Sequence, residues 1–486
     1  MPFWHGTLAR INLAIFGHQM PSKQRHIVIA GHGAAGLCAA IAAAESSRAR
    51  GVQARITIVE AAPEGQHGGN TRWSPSYMRM ESPERLAPGF EEDILAAAGG
   101  HADRRYVRRM AGEAPATIAW LQGHGIAFHR PMYYLSAGPP RIQPIGGGAV
   151  VISELTRIAR TSGVEFLYEH AAERLILRQD GSPSGLVVER PNGETRMLNA
   201  DAIILACGGF EGNGAMLREY FGAGAESFKP ISPGTAFNTG AGIRMALSAG
   251  ALRAGDWSGM HAEPIDPRST GSAPVVLVYP YGIVVDQTGR RFFDEGAGLV
   301  HETWETFARN IHLATPGRVA FAILDRRLHD ITGFERAIRS EVPPHRADSI
   351  EALAHAAGIS PGGLVRTIAA YNAAATGDSS RFDAARLDGL AADKSLTPAK
   401  SNWARPICEA PYLAYPLVGG IAYTFGGLAT DEDTHVLSAH GPIPGLYAAG
   451  EITGHFYGIA PNAVAMIRAL VFGRIAGQQA VAYGLG

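Results

Sequence analysis

The sequence has few cysteines and almost no net charge. Its 486 residues include three cysteines, Cys38, Cys207 and Cys408, whose spacing matches neither a metal site nor a disulfide framework. This cysteine usage excludes a cysteine-bound iron–sulfur set and favours a reducing cytoplasm, where we expect the protein to be found. With 43 basic and 44 acidic residues, the charge balance favours neither a nucleic-acid partner nor an anionic membrane surface.

Long apolar runs and haem attachment motifs are also missing. No apolar run approaches the roughly 18 residues that a membrane-spanning helix needs, and no CxxCH segment occurs. The mildly apolar stretch from Leu8 to Phe16 is short and lacks a small-residue cleavage site. We therefore predict that residues 1–24 form a tail or an extra surface helix rather than a signal peptide.

A glycine-rich segment near the start is the most informative feature. Gly31, Gly33 and Gly36 follow an apolar stretch and precede an alanine-rich one. In such a GxGxxG turn the first glycine permits the turn, the second lets a pyrophosphate approach, and the third lets helix and strand pack closely. The helix N-terminus favours the phosphates, and Glu60, about 24 residues after Gly36, is placed to bind a ribose. The segment predicts dinucleotide binding.

The remaining pattern predicts an α/β fold. Residues 202–206 are apolar at every position, as in a parallel strand that is buried on both faces. Short predicted strands, among them Val275–Val278, mix with helices from about residue 256 to 400. We predict a discontinuous Rossmann-like dinucleotide-binding domain, residues 25–255 and 401–486, with an inserted α+β capping domain at 256–400. No second GxGxxG opens another β-α-β unit, which argues against a built-in nicotinamide site.

Several segments resemble one flavoprotein family. The chain is similar, over about residues 25–485, to the FAD-binding two-domain family of fumarate reductase and succinate dehydrogenase flavoproteins, aspartate oxidase and 3-ketosteroid dehydrogenases. The segments that carry the resemblance are Gly68–Arg72, Ala202–Gly209, Pro233–Ala251, Gly426–Thr430 and Pro444–Glu451. Within the family, the segments Gly69–Ser74, Pro280–Val285, Gly289–Glu295 and Arg468–Arg474 resemble tricarballylate dehydrogenase and its flavoprotein relatives.

The resemblance implies a set of FAD contacts. The implied cofactor-binding residues are Gly31, Gly33, Ala34, Ala35, Gly36, Glu60, Gly69, Asn70, Thr71, Ala206, Gly208, Gly450, Glu451, Ala463 and Val464. Asn70 stands where respiratory members tether the flavin to a histidine, so we expect non-covalent FAD. No metal ligand set is predicted.

The catalytic positions of fumarate reductases match this chain poorly. The proton-donor arginine falls at Leu299 and its relay pair at Val275 and Val278, and the arginine of the HGANR segment is missing. Valine and leucine cannot transfer protons, so we do not expect fumarate reduction by that mechanism.

Three residues remain as catalytic candidates. Tyr423 replaces a substrate-facing histidine and is the candidate base, although it could also pack its ring and hydrogen-bond a carbonyl group. His261 matches a substrate-binding histidine of the family, with a plain loop histidine as the alternative. Arg468 lies one turn beyond Val464 and could bind the substrate or form a surface ion pair.

These features predict an FAD-dependent dehydrogenase that removes two hydrogens across a C–C bond beside a carboxylate or carbonyl group. A small anionic substrate, with a tricarballylate-like polycarboxylate as the example, is favoured. The alternatives are a 3-ketosteroid-type dehydrogenase, a fumarate reductase-like enoate reductase, and a flavin electron-transfer protein without turnover. Electrons must leave to a separate acceptor, which is a membrane-bound redox protein, a quinone-linked protein or oxygen.

Overall fold

The computed structural model describes residues 24–132, 135 and 138–484, so the predicted tail lies outside the described residues except for Gln24. The strands are β1 Arg25–Ala30, β2 Ala54–Glu60, β3 Met80–Ser82, β4 Arg85–Leu86, β5 Phe128–His129, β6 Gln143–Pro144, β7 Glu165–Tyr168, β8 Ala171–Leu177, β9 Pro183–Glu189, β10 Thr195–Asn199, β11 Ala202–Leu205, β12 Lys229–Pro230, β13 Arg253–Ala254, β14 Met260–Ile265, β15 Ile283–Asp286, β16 Ala320–Leu324, β17 His345–Ala347, β18 Tyr412–Thr424, β19 Gly427–Leu428, β20 His435–Ser438 and β21 Gly441–Ala448. The helices are α1 Ala34–Arg50, α2 Gly69–Trp73, α3 Phe90–Ala97, α4 Arg104–Gly123, α5 Gly147–Thr161, α6 Gly214–Phe221, α7 Ala241–Ser248, α8 Val300–Ala314, α9 Ile350–Ala357, α10 Pro361–Ala374 and α11 Ala465–Ala482.

A six-stranded sheet with the order β20-β21-β11-β1-β2-β7 forms the nucleotide-binding layer. Its strands run parallel except for β20. Helices α1 and α11 pack closely on each other at Gly473 and Gly477, which have no side chain. A Cβ at Gly473 would overlap the Ala35 carbonyl, and one at Gly477 would overlap that of Ala39. The predicted α/β class is confirmed. The turn pairs Asp180-Gly181 and Asn192-Gly193 predict a small antiparallel sheet, and the structure has one with the order β10-β9-β8.

The second six-stranded sheet belongs to the middle of the chain. Strand β18 lies at its centre and pairs with β12, β14, β16 and β17, while β15 pairs with β16. Strand β18 comes after the predicted boundary at residue 400, and β12 comes before residue 256. The middle sheet therefore draws strands from all three predicted segments. A proline and two adjacent glycines in residues 412–424 obscure the strand pattern in the sequence.

Three local predictions differ from the structure. Val275–Val278 is not a strand, because its only sheet contacts are isolated bridges to Ile265 and Ile338. The glycine, serine and proline content of residues 63–82 predicts a loop, but this stretch contains the short helix α2. The sequence also predicts a last helix from Asn462. That helix begins at Ala465, since Ala463 has a φ of 59°, which is incompatible with a right-handed helix.

The described ranges contain neither a candidate membrane-spanning helix nor a metal-binding cluster. No helix there is long and apolar enough to cross a bilayer. No group of three or more histidine, cysteine or acidic residues there is arranged to hold a metal ion.

Candidate active site

A large cavity lies between the nucleotide-binding sheet and the middle sheet. The glycine turn after β1, the end of β2, helix α2 and the start of α11 line one side of it. Strand β14, helix α8 and the end of β18 line the other side. The cavity thus begins at the carboxyl ends of parallel strands, where open α/β sheets bind their ligands.

The glycine turn leaves an open cradle beside the first helix. A Cβ at Gly31, whose φ is 109°, would overlap the Ala206 carbonyl, and one at Gly36 would overlap the Gly31 carbonyl. A Cβ at Gly33 would meet nothing closer than 4.0 Å and would project into the cavity. The turn and the close packing therefore require Gly31 and Gly36, whereas Gly33 leaves room for a phosphate group.

Glu60 is held at the cavity wall by backbone donors. Its carboxylate accepts hydrogen bonds from the N–H groups of His32 and Ala62, both at 2.8 Å. Burial raises the pKa of Glu60, and these hydrogen bonds oppose the shift. The side chain is therefore fixed at the end of β2, where the sequence predicts a ribose acceptor.

Asn70 is locked by a network that the sequence did not reveal. Its Oδ1 accepts hydrogen bonds from the hydroxyls of Ser232 and Thr235, at 2.9 and 3.0 Å. Its Nδ2 donates to Glu211 Oε1 and to the Ala422 carbonyl, both at 2.8 Å. These four bonds use the whole amide and set its orientation.

Glu211 also lies beside a second predicted residue. Burial and the neighbouring carboxyl of Glu451 raise the pKa of Glu211 well above its ordinary value, and burial raises that of Glu451. Glu451 Oε1 accepts the Thr424 N–H at 3.1 Å. Two buried carboxyls in contact share a proton, because two negative charges there would repel each other strongly. In the sequence, the only feature that could have marked Glu211 as a site residue was its position shortly after the Gly208-Gly209 pair.

Most of the other predicted cofactor residues also line the cavity. They are Ala34, Ala35, Gly69, Thr71, Ala206, Gly208, Gly450 and Ala463. Gly36 lies beneath the turn, and Val464 is fully buried with its carbonyl bonded to the Arg468 N–H. The open cradle, the fixed acid at the end of β2 and the start of α1 fit a dinucleotide.

Tyr423 and His261 meet on the middle-sheet side of the cavity. They are opposite each other in the pairing of β14 with β18, and a bulge follows between His261 and Ala262. Their rings stack with centroids 4.9 Å apart. Both residues line the cavity, so the structure brings two of the predicted catalytic residues together.

His261 is held between two carboxylates that the sequence analysis missed. Its Nδ1 is 2.6 Å from Glu305 Oε2, and its Nε2 is 3.3 Å from Glu263 Oε1. Burial alone would lower the pKa of His261, but the bonds to Glu263 and Glu305 outweigh burial and raise it to about 9. His261 is thus an imidazolium at neutral pH. The spacing of Glu263, two residues along the same strand, was an available signal, whereas nothing in the sequence pointed to Glu305 on α8.

The Tyr423 hydroxyl makes no hydrogen bond to any residue that the structure describes. Burial, and next the negative charge of Glu305, raise the pKa of Tyr423 above its ordinary value. The phenol is therefore neutral at physiological pH, and the residue lines the cavity without a hydrogen-bond acceptor for its hydroxyl among the described residues. The alternative in which the hydroxyl binds a carbonyl group of the protein finds no support in the described part of the chain.

Arg468 is a buried cation in the cavity wall. It is 1% exposed, and its Nη1 donates to the Thr453 carbonyl at 3.3 Å. Its guanidinium lies over the Phe456 ring at 3.9 Å. Within the described ranges its Nε has no acceptor and no carboxylate forms an ion pair with it. This burial is incompatible with the surface ion pair considered for it.

Several known proteins are similar to this chain over most of its length. A probable fumarate reductase of Shewanella frigidimarina is 28% identical, with 96% of this chain and 76% of that protein covered. The vinyl phenol reductase of Lactiplantibacillus plantarum is 26% identical, with 94% of this chain and 96% of that protein covered. A structure of the open conformation of a flavocytochrome c3 fumarate reductase matches with a TM-score of 0.75 and 25% identity, over 96% of this chain and 79% of that one.

The family comparison covers almost the whole described chain. The model of the FAD binding domain family matches residues 26–464, which include the glycine cradle, both sheets and the start of the segment leading into α11. The cofactor prediction of FAD is confirmed, and the superfamily resemblance is confirmed with it. The chain therefore belongs to the FAD binding domain family of flavin-dependent oxidoreductases that act on CH–CH groups.

Proposed function

We propose that this protein transfers two hydrogens between FAD and a carbon–carbon bond conjugated to a carboxylate or carbonyl group. The observation that carries the proposal is the Tyr423 hydroxyl, which faces the cavity beside the flavin cradle and has no partner in the described chain. A proton donor without a protein acceptor, aimed into a substrate cavity, is what the second half of such a reaction needs.

The direction follows from the protonation state of Tyr423. When FAD is bound, it exchanges a hydride with one substrate carbon, and the protein handles the proton at the neighbouring carbon. Because the pKa of Tyr423 is raised, the resting residue is the neutral phenol, which can give a proton to the substrate but cannot take one from it. We therefore favour reduction of the double bond over the dehydrogenation that the sequence analysis preferred.

His261 and Arg468 have supporting roles in this proposal. The imidazolium of His261 stacks on the Tyr423 ring and places a positive charge beside it. Arg468, buried and without an ion pair among the described residues, attracts the carbonyl or carboxylate oxygen of the substrate. Both roles place charge next to the reacting bond.

Several finer expectations stay part of the proposal. The fully bonded amide of Asn70 supports non-covalent FAD, since no nucleophile stands at the tether position. Electrons pass between the flavin and a separate redox partner, and the location is cytoplasmic. The tricarballylate-like polycarboxylate is an expectation from the resemblance alone, and the division at residues 255 and 400 stays a prediction.

Anaerobic reoxidation of the flavin tests the proposed function. The purified yellow protein is photoreduced and mixed with fumarate, crotonate, cinnamate or cyclohexenone, and the flavin absorbance is followed. Return of the oxidised spectrum with at least one of them is expected. If none reoxidises the flavin, the proposal fails and a flavin protein without turnover is favoured. A 3-ketosteroid added to the oxidised protein tests the steroid alternative, for which flavin bleaching is the positive result.

A further inference from the structure

The cavity has an acidic end next to Tyr423. Glu263 and Glu305 each use one carboxylate oxygen to hold His261. Their other oxygens, Glu263 Oε2 and Glu305 Oε1, have no donor among the described residues, although both side chains line the cavity. We call these two residues, together with His261, the acidic end.

Local structure explains why both carboxylates point to the same place. His261 and Glu263 are two residues apart on β14, so they lie on one face of the strand, while Met260 and Ala262 are buried on the other. Glu305 reaches the same face from α8 and is only 5% exposed. Strand β14 and helix α8 therefore each contribute a carboxylate to the same wall of the cavity.

A carboxylate oxygen that lines a cavity takes its hydrogen bonds from whatever fills the cavity. Among the described residues, donors reach only the oxygens that face His261, so water or a ligand in the cavity supplies the donors for the other two oxygens. One imidazolium and two carboxylates also leave this end with a net negative charge, which repels a ligand carboxylate.

We propose that the substrate carries a hydrogen-bond-donating group, such as a hydroxyl, an amine or a ring N–H, that binds the free oxygens of Glu263 and Glu305. The acidic end thus selects against substrates with a second carboxylate at that position. This inference rests on the proposed function, because it names the substrate class of the same cavity. It also argues against the polycarboxylate expected from the resemblance.

Two matched ligand series test the inference on the oxidised holoenzyme. The short series is crotonate, 4-hydroxycrotonate and fumarate, and the aromatic series is cinnamate, 4-hydroxycinnamate and 4-carboxycinnamate. Within each series only one substituent changes from apolar to donor to carboxylate. Dissociation constants are measured from the change in flavin absorbance, which requires no turnover.

We expect the hydroxyl member to bind about tenfold or more tightly than the apolar member in the series whose length fits the cavity, because a hydrogen bond to a charged group is worth this much. The carboxylate member should bind more weakly than both. If the carboxylate member binds most tightly in both series, or no member is discriminated in either, the inference is overturned.

Variants separate ligand binding from a purely structural role. Glu263→Gln and Glu305→Gln keep the shape but remove one charge each, so the preference for hydroxyl over carboxylate should fall about tenfold. If the two residues merely hold His261, all three ligands of a series should change affinity by the same factor and the preference should stay, which would refute the inference. Glu219→Gln, an exposed position on α6 outside the cavity lining, is the matched control and should leave every ratio unchanged.

Failure of the inference and failure of the proposed function give different results. If enoates reoxidise the reduced flavin but the hydroxyl ligands are not preferred, the proposed function stands and the inference is refuted. If the hydroxyl ligands are preferred but no enoate reoxidises the flavin, the binding assignment stands and the proposed function is refuted.

Discussion

Replacing Tyr423 with phenylalanine should stop proton transfer without disturbing the fold. The substitution removes one hydroxyl that makes no hydrogen bond to the described residues. The ring contacts remain, with centroids 4.9 Å from His261, 6.0 Å from Phe425 and 6.2 Å from Phe456. The free energy of unfolding should therefore change by no more than about 0.5 kcal/mol.

The catalytic effect should be large, because the lost group is the proposed proton donor. General acid–base catalysis by a positioned side chain contributes roughly 100- to 10,000-fold in rate. The Tyr423→Phe variant should keep its FAD but show reoxidation of the photoreduced flavin by an enoate slowed by about 100-fold or more. Rapid mixing under anaerobic conditions, with absorbance read at the flavin band, measures this rate directly.

A second tyrosine provides the matched control. Tyr279 is buried in the middle of the chain, outside the cavity lining, and its hydroxyl bonds to Thr303 at 2.9 Å. Tyr279→Phe should lower the free energy of unfolding by about 1 kcal/mol and leave the rate unchanged. The two variants should thus show opposite patterns. A Tyr423→Phe enzyme whose flavin is reoxidised within threefold of the normal rate would refute the assignment and move the donor elsewhere.

Three further predictions concern the cofactor cradle, a buried lysine and His261. Gly33→Val should fold, since its side chain would enter open space, but should purify colourless because it blocks the phosphates of FAD. Circular dichroism checks the fold, and flavin absorbance checks cofactor retention. A yellow variant would contradict the assignment of the cradle. Lys400 donates to the Gly282 carbonyl at 2.8 Å, and burial lowers its pKa to about 8, so the unfolded state binds more protons above that pH. The contribution of Lys400 to stability should therefore rise from about pH 8 to 10.5, and Lys400→Met, which removes the ammonium, should lack this contribution in urea unfolding curves compared with the unmodified protein. The pKa of His261 is raised to about 9 from an ordinary 6.5, so protonated His261 stabilises the fold fully below pH 6.5 and progressively less as pH rises through 9. The His261→Gln variant should lack this loss of stability. Parallel slopes of unfolding free energy against pH for both proteins would argue against the imidazolium.

The sequence was sufficient for the local features that depend on neighbouring residues. The turn at Gly31 and Gly33 and the acid at Glu60 lie in one continuous β-α-β unit, so their spacing alone predicted the cradle. The α/β class followed from apolar strands such as β11, because a strand apolar at every position must be covered on both faces. These inferences needed only the periodicity of strands and helices.

Only the tertiary structure reveals the acidic end and the surroundings of the hydroxyl that we propose as the proton donor. Glu263, Glu305 and Tyr423 are distant in the chain and meet only because β14, α8 and β18 pack together. The pKa shifts of Tyr423 and His261 depend on burial and on the charges that surround them in the cavity, and no spacing in the sequence encodes these quantities. The chain order therefore determined where FAD binds, and the packing of the middle sheet determined which groups would act beside it.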